Sequence, residues 1–159
     1  MEERLSESAL KVQKALEPFG VSLKVVELMD STRTSREAAK AVGCDVGQIA
    51  KSLVFKGARS GKAVLVIASG ANRVNERRLG ELAAEPVEKG DAEFVRERTG
   101  FAIGGVPPVG HAMTLDVYID EDLMKYGEIW AAAGTPRAVF KLTPADLVKI
   151  TRGKVVKTA

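Results

Sequence analysis

The chain has 159 residues, 45% of them hydrophobic and 28% charged, with a formal net charge of +3. That profile excludes a disordered segment and fits one domain, with little room for a second. A single cysteine, Cys44, and a single histidine, His111, exclude a disulfide framework and the multi-cysteine or paired-histidine metal motifs, so neither a metal nor a cofactor is expected.

Taken in chain order, residues 6–17 read as an amphipathic helix capped by Ser6, with Leu5, Ala9, Val12 and Leu16 near one face and Pro18 and Gly20 ending it. Residues 21–28 have the β-branched content of a strand. Hydroxyls at 31–34 cap a short helix over 35–42, which Gly43 stops. Two strands, 49–56 and 63–69, flank a glycine-bounded hairpin loop at 57–61. Helices follow at 75–84 and 91–99, the second capped by Asp91 and ended by Gly100. An irregular glycine- and proline-rich segment occupies 101–111. A strand at 114–119, a short helix at 120–126 and strands at 128–133 and 137–142 come next. Thr143-Pro144-Ala145-Asp146 is a helix start, with a cap, a proline at the first position and an acid at the capping-box position. Hairpins mixed with helical crossovers predict a mixed α/β domain on one curved sheet.

Charge is distributed unevenly. Residues 51–80 carry seven Lys/Arg against Glu76 alone, residues 81–128 carry four basic against eleven acidic residues, and residues 129–159 carry six basic against Asp146. The two basic blocks either converge on a polyanion or form ordinary solvated faces. No stretch nears the ~20 apolar residues of a membrane span, and residues 1–14 lack the apolar core of a secretory signal. A cytoplasmic location is therefore expected.

Several motifs fail on inspection. Gly57 to Ala63 resembles a phosphate loop but is one residue short, and Ala63 stands where the magnesium-binding hydroxyl would be. No nucleophile elbow and no dinucleotide fingerprint is present. Cys44 has no local cationic neighbourhood and reads as an inert thiol.

Two features remain. In the strand at 49–56, Ile49, Lys51, Leu53 and Phe55 share one face and Ala50, Ser52 and Val54 the other, both largely apolar. Lys51 in so central a strand must snorkel, pair, or line a cavity. The second feature is Gly104-Gly105-Val106-Pro107-Pro108-Val109-Gly110-His111. Paired glycines let a ligand approach main-chain amides, and the prolines stiffen the loop, which suits an anion or oxyanion site as well as a plain turn.

The run from Asp45 to Phe55, with that glycine loop some fifty residues later, resembles the YbaK/prolyl-tRNA-synthetase-associated editing family. Ala71-Asn72-Arg73-Val74-Asn75 and Ala131-Ala132-Ala133-Gly134-Thr135 extend the similarity over about residues 20–150. The resemblance implies one editing domain over 1–159, with a partly barrel-like mixed sheet flanked by helices. It implies hydrolysis of the ester of a mischarged small amino acid (alanine, cysteine or serine) on tRNA, with tRNA for proline the expected carrier. Partners would be the acceptor end of aminoacyl-tRNA and an aminoacyl-tRNA synthetase, with no membrane involved. It assigns catalysis to Lys51, Gly104 and Gly105, and substrate binding to Gly110, His111, Asn75, Thr135 and Thr32. Leu28, Thr32 and Phe55 are candidate walls of the amino-acid pocket. The family's mechanism uses the substrate's own ribose hydroxyl to orient the water. Competing readings are a non-catalytic module that binds aminoacyl-tRNA or a nucleotide, a regulatory domain without a small-molecule site, and a hydrolase of another small ester.

Overall fold

A computed structural model describes residues 5–19 and 23–159. Helix α1 spans Glu7–Leu16, with the Ser6 hydroxyl accepting from the Ala9 amide, and it buries Ala9, Val12 and Leu16. The expected stop at Gly20 and the first two residues of the expected strand at 21–28 lie outside the described residues. Within them that strand shortens to β1, Val25–Glu27. Helix α2, Ser35–Val42, is capped by Thr34 and closed by Gly43 at φ 76.

The hairpin forms around its glycine-bounded loop, as expected. Strand β2, Ile49–Gly57, pairs antiparallel with β3, Ala63–Ser69, from Ala50↔Ser69 to Lys56↔Ala63. Helix α3, Glu76–Ala83, starts on an Asn75 cap, and α4, Ala92–Thr99, on an Asp91 cap. Between them lies β4, Val87–Lys89, a strand that the sequence pattern does not signal. Strand β5 covers Asp116–Asp120, and the expected helix after it is a 3-10 turn over Glu121–Lys125. Strands β6, Ile129–Ala132, and β7, Ala138–Leu142, precede α5, Pro144–Thr151. A further unanticipated strand, β8, runs over Lys154–Val156.

The eight strands make one mixed sheet in the order β1-β7-β6-β2-β3-β5-β8, with β4 as a branch on β2. Strand β3 is buried along its whole length because both its faces are covered. On one face Leu65 and Ile67 join a core with Ala9, Val12 and Leu16 of α1, Phe94 and Val95 of α4, Phe140 of β7, and Leu147 and Ile150 of α5. On the other, Val64, Val66, Ala68 and Phe55 pack on Leu79 of α3. A smaller cluster seats Ala38 and Ala39 of α2 on Ile49.

The two basic blocks touch near their ends. The Asn75 amide donates to the Thr158 carbonyl at 2.7 Å, which sets the end of the second block beside the start of α3. No helix among the described residues is long and apolar enough to cross a membrane.

Helix α3 ends on Ala84 at φ 61, a left-handed conformation that strains a residue with a Cβ. Replacing Ala84→Gly relieves that strain, and urea denaturation should report a gain of roughly 0.5–1 kcal/mol. A loss of stability would mean the turn is not strained.

Candidate functional site

Strand β2 carries one neighbour, β3, on one edge and two on the other. Strand β6 runs parallel to it at Ile49 and Ala50, and β4 antiparallel at Phe55, Lys56 and Gly57. Between those short ladders the sheet opens into a cavity of about 440 Å³. Its wall on one face comes from Ala38 and Val42 of α2, and on the other from Val95 of α4 and Val106 of the glycine loop. The ionisable residues that line it are Arg33, Lys51 and Lys89, all cationic.

Lys51 points into this cavity and is half-buried, and its Nζ donates to the Asn72 carbonyl at 2.7 Å. Burial and the neighbouring Lys89 hold its pKa below the ordinary lysine value, with Asp120 opposing the shift. Asn72 is itself fixed. Its Nδ2 donates to Asp120 at 2.9 Å and to Asp122 at 2.7 Å. Asp120 is buried and also accepts from the Ser69 amide at 3.0 Å and the Asp122 amide at 2.9 Å. A buried carboxylate that accepts several N–H donors is satisfied without a cation. Asn72, Asp120 and Asp122 thus form a support for Lys51 that the sequence reading did not assign.

The glycine loop divides. Gly104 lines the cavity at φ 93, and a Cβ there would meet Arg33 Cγ at 3.0 Å. Gly105 is buried behind it. Its amide donates to the Ala102 carbonyl at 3.0 Å, and its carbonyl accepts from the Gly134 amide at 2.8 Å. A Cβ on Gly105 would stand 2.9 Å from the Thr135 backbone, so glycine is required for the two loops to touch. The Gly105 amide is therefore already engaged, and the Gly104 and Val106 amides carry no such bond among the described residues.

Other expected site residues sit elsewhere. Gly110 packs against Ala15 of α1, and His111 Nε2 donates to the Pro107 carbonyl at 2.7 Å; neither lines the cavity. Burial pushes the His111 imidazole below its ordinary pKa. Asn75 caps α3, its side chain accepting from the Arg78 amide at 3.1 Å, and stands apart from the cavity. Thr135 lines a second, shallower recess with Glu27, Ser31, Arg33, Pro136 and Arg137. Thr32 is buried on the cavity wall, and its hydroxyl donates to the Pro136 carbonyl at 2.8 Å. Phe55 also lines the cavity and Leu28 does not. Burial, with Asp45 and Glu128 nearby, raises the Cys44 thiol pKa, as suits an unreactive cysteine.

A family model described as an aminoacyl-tRNA editing domain matches residues 30–150. The uncharacterised protein YwhH of Bacillus subtilis is 30% identical over 131 residues, which is 82% of this chain and 83% of that protein. An Enterococcus faecalis protein named, provisionally, Cys-tRNA(Pro)/Cys-tRNA(Cys) deacylase EbsC is 26% identical over 122 residues, 76% of this chain and 74% of its own. A solved structure described, also provisionally, as a trans-editing enzyme for prolyl tRNA synthetase superposes with a TM-score of 0.92 at 54% identity, covering 98% of each chain.

Two outcomes follow, one from the bonds around Asp120 and one from the burial of His111. Asp120→Ala orphans the Ser69 and Asp122 amides, while Asn72 keeps its bond to Asp122, and should cost roughly 1–3 kcal/mol for each orphaned donor on chemical denaturation. His111 favours its neutral form when folded, so the unfolded chain binds the extra proton once pH drops below 6.5. Stability should fall from that pH downward, and His111→Gln should flatten the fall. An identical profile in both proteins would remove His111 as its source.

Proposed function

The chain belongs to the aminoacyl-tRNA editing domain family, and on that premise we propose that it is a trans-acting deacylase. It hydrolyses the ester of a mischarged small amino acid, of the alanine, cysteine or serine class, on tRNA for proline. The observation that carries the reading is the cavity beside Lys51, cationic and free of any lining carboxylate or imidazole among the described residues. Such a lining suits a substrate whose anionic charge lies in phosphate and in a developing oxyanion, and it offers no side-chain base.

An aminoacyl ester is already activated, so its hydrolysis needs a placed water and a stabilised oxyanion more than a strong nucleophile. In this mechanism Lys51 holds the terminal nucleotide or the ester carbonyl, fixed in place by Asn72. Water adds to the carbonyl carbon, and the free main-chain amides at Gly104 and Val106 donate to the oxygen that becomes negative. The tetrahedral intermediate collapses with cleavage of the bond to the ribose oxygen, which leaves with a proton. The adjacent ribose hydroxyl orients the water and relays that proton. Gly105 acts by close packing on Thr135, which sets the loop that carries these amides.

Selection is by size. Ala131 and Val139 line the cavity with Thr32 and Phe55, an uncharged wall. A methylene more or less against such a wall discriminates by only about 1–3 kcal/mol, so exclusion of larger amino acids does most of the work. The basic residues at 73–78 and 154–157 then meet acceptor-stem phosphates independently of sequence.

The test is deacylation of alanyl-, cysteinyl- and seryl-tRNA for proline by wild type and Lys51→Ala. The expected result is selective release of one amino acid, lowered about 10²–10³-fold in the folded variant, the scale of losing one preorganised stabilising group. Equal rates in both proteins would dismiss Lys51. No release from any member, with tRNA still bound, would assign a binding module instead. Binding of tRNA should also weaken steeply with added salt. A flat response would remove the basic surface from the reading.

A further inference from the structure

The middle of β2 is a sheet edge that no strand takes. The ladder to β6 stops at Ala50↔Ala131, and the ladder to β4 begins at Phe55↔Lys89. Two bonds set the phase along β2: the Gly70 amide donates to the Ile49 carbonyl at 2.7 Å, and the Gly57 amide to the Lys62 carbonyl at 2.9 Å. Odd-numbered residues therefore turn their main-chain groups toward β3, and Ala50, Ser52 and Val54 turn theirs toward the other edge. Strand β6 occupies Ala50, and the Gly90 amide reaches the Val54 carbonyl at 2.9 Å. What is left, in order along the edge, is the Ser52 amide, the Ser52 carbonyl and the Val54 amide. The Ser52 hydroxyl, also buried, has no hydrogen-bond partner among the described residues.

All of these groups lie on the lining of the cavity, between Ala38 and Val42 above the sheet plane and Val95 and Val106 below it. Unpaired main-chain groups in such a place are costly until a ligand takes them. A ligand that lies in the plane of the sheet must offer a donor to the Ser52 carbonyl and, beside it, an acceptor to the Val54 amide. It must also be flat, with apolar faces to meet the walls above and below.

Adenine has that form, with its N6 amino donor next to the N1 acceptor in one plane. We infer that the free edge of β2 at Ser52–Val54 binds the adenine base of the terminal nucleotide, which reads the last base through main-chain groups while Lys51 meets the charged or reacting part of the same end. The inference rests on the deacylase reading for the identity of the ligand, and on the sheet alone for the site. Bases with a carbonyl and a ring N–H in those positions, such as hypoxanthine, would set acceptor against acceptor and donor against donor.

The experiment uses two non-hydrolysable probes, 3′-alanylamino-3′-deoxyadenosine and its inosine counterpart, titrated into ¹⁵N-labelled full-length protein. The adenosine probe should shift the Ser52 and Val54 amide resonances and bind roughly ten- to a hundredfold more tightly than the inosine probe. Equal affinities, unmoved amides with the probe bound, or no binding of either probe would overturn the assignment. A third probe, the 3′-propionylamino adenosine, lacks the α-amine. If its loss of affinity matches that of inosine and Val54 stays unmoved, the edge holds the amino acid's ammonium, which overturns the assignment too. Alanyl-tRNA hydrolysis, measured on the same protein, keeps the two readings apart. Hydrolysis with equal affinities retires the adenine site alone, and adenine-selective binding without hydrolysis retires the deacylase alone.

Discussion

One strand has to satisfy two different neighbours along a single edge, and the site exists because it does. Strands β6 and β4 both pair with β2 on the side away from β3, the first parallel and the second antiparallel. The ladder to β6 ends at Ala50 and the ladder to β4 begins at Phe55, so the two strands leave a gap along that edge. The space between them is therefore a product of topology, and side chains only shape it. Helix α2 closes it from one face, and α4 with the glycine loop closes it from the other.

The same economy holds the loop. Hydrogen bonds pin residues 101–111 along their length: the Phe101 amide and carbonyl to the Thr99 hydroxyl, the Gly105 amide to Ala102, the Gly105 carbonyl to Gly134, and the His111 side chain to the Pro107 carbonyl. None of these involves an ion pair, so the loop keeps its shape through packing and neutral hydrogen bonds. Gly105 and Gly110 thus serve the backbone geometry that brings Gly104 to the cavity wall.

Much of this was legible in the residues, and the failures have physical causes. The β2–β3 hairpin follows from two apolar, β-branched runs on either side of a glycine-bounded loop. The helix starts follow from Thr34, Asp91 and Thr143, each of which accepts from an amide three residues on. Strands β4 and β8 are three residues long, too short for alternation to register, and they form because β2 and β5 offer them an edge. Lys51 stood out because nothing apolar on either side of its strand explains a charge there. Asn72 did not, because its acidic partners lie about fifty residues further on and only the β3–β5 pairing brings them close. Asn75, Gly110 and His111 were grouped with the site by the family resemblance, and none of the three lines the cavity. The sheet groups by nearness across strands, and it gives those three residues to a helix cap and a loop brace.

Lys51 is tethered by a carbonyl and not by a carboxylate. A carboxylate would orient the ammonium equally well, but its full negative charge would cancel much of the lysine's field at short range. An incoming phosphate would then have to displace one anion before it could gain from the cation. The Asn72 carbonyl is only a dipole, and the two acids bond the Asn72 side chain rather than the ammonium itself. The acids supply rigidity at one remove, and the cation faces the cavity as an oriented monopole. An anionic ligand can engage it directly, with no ion-exchange step.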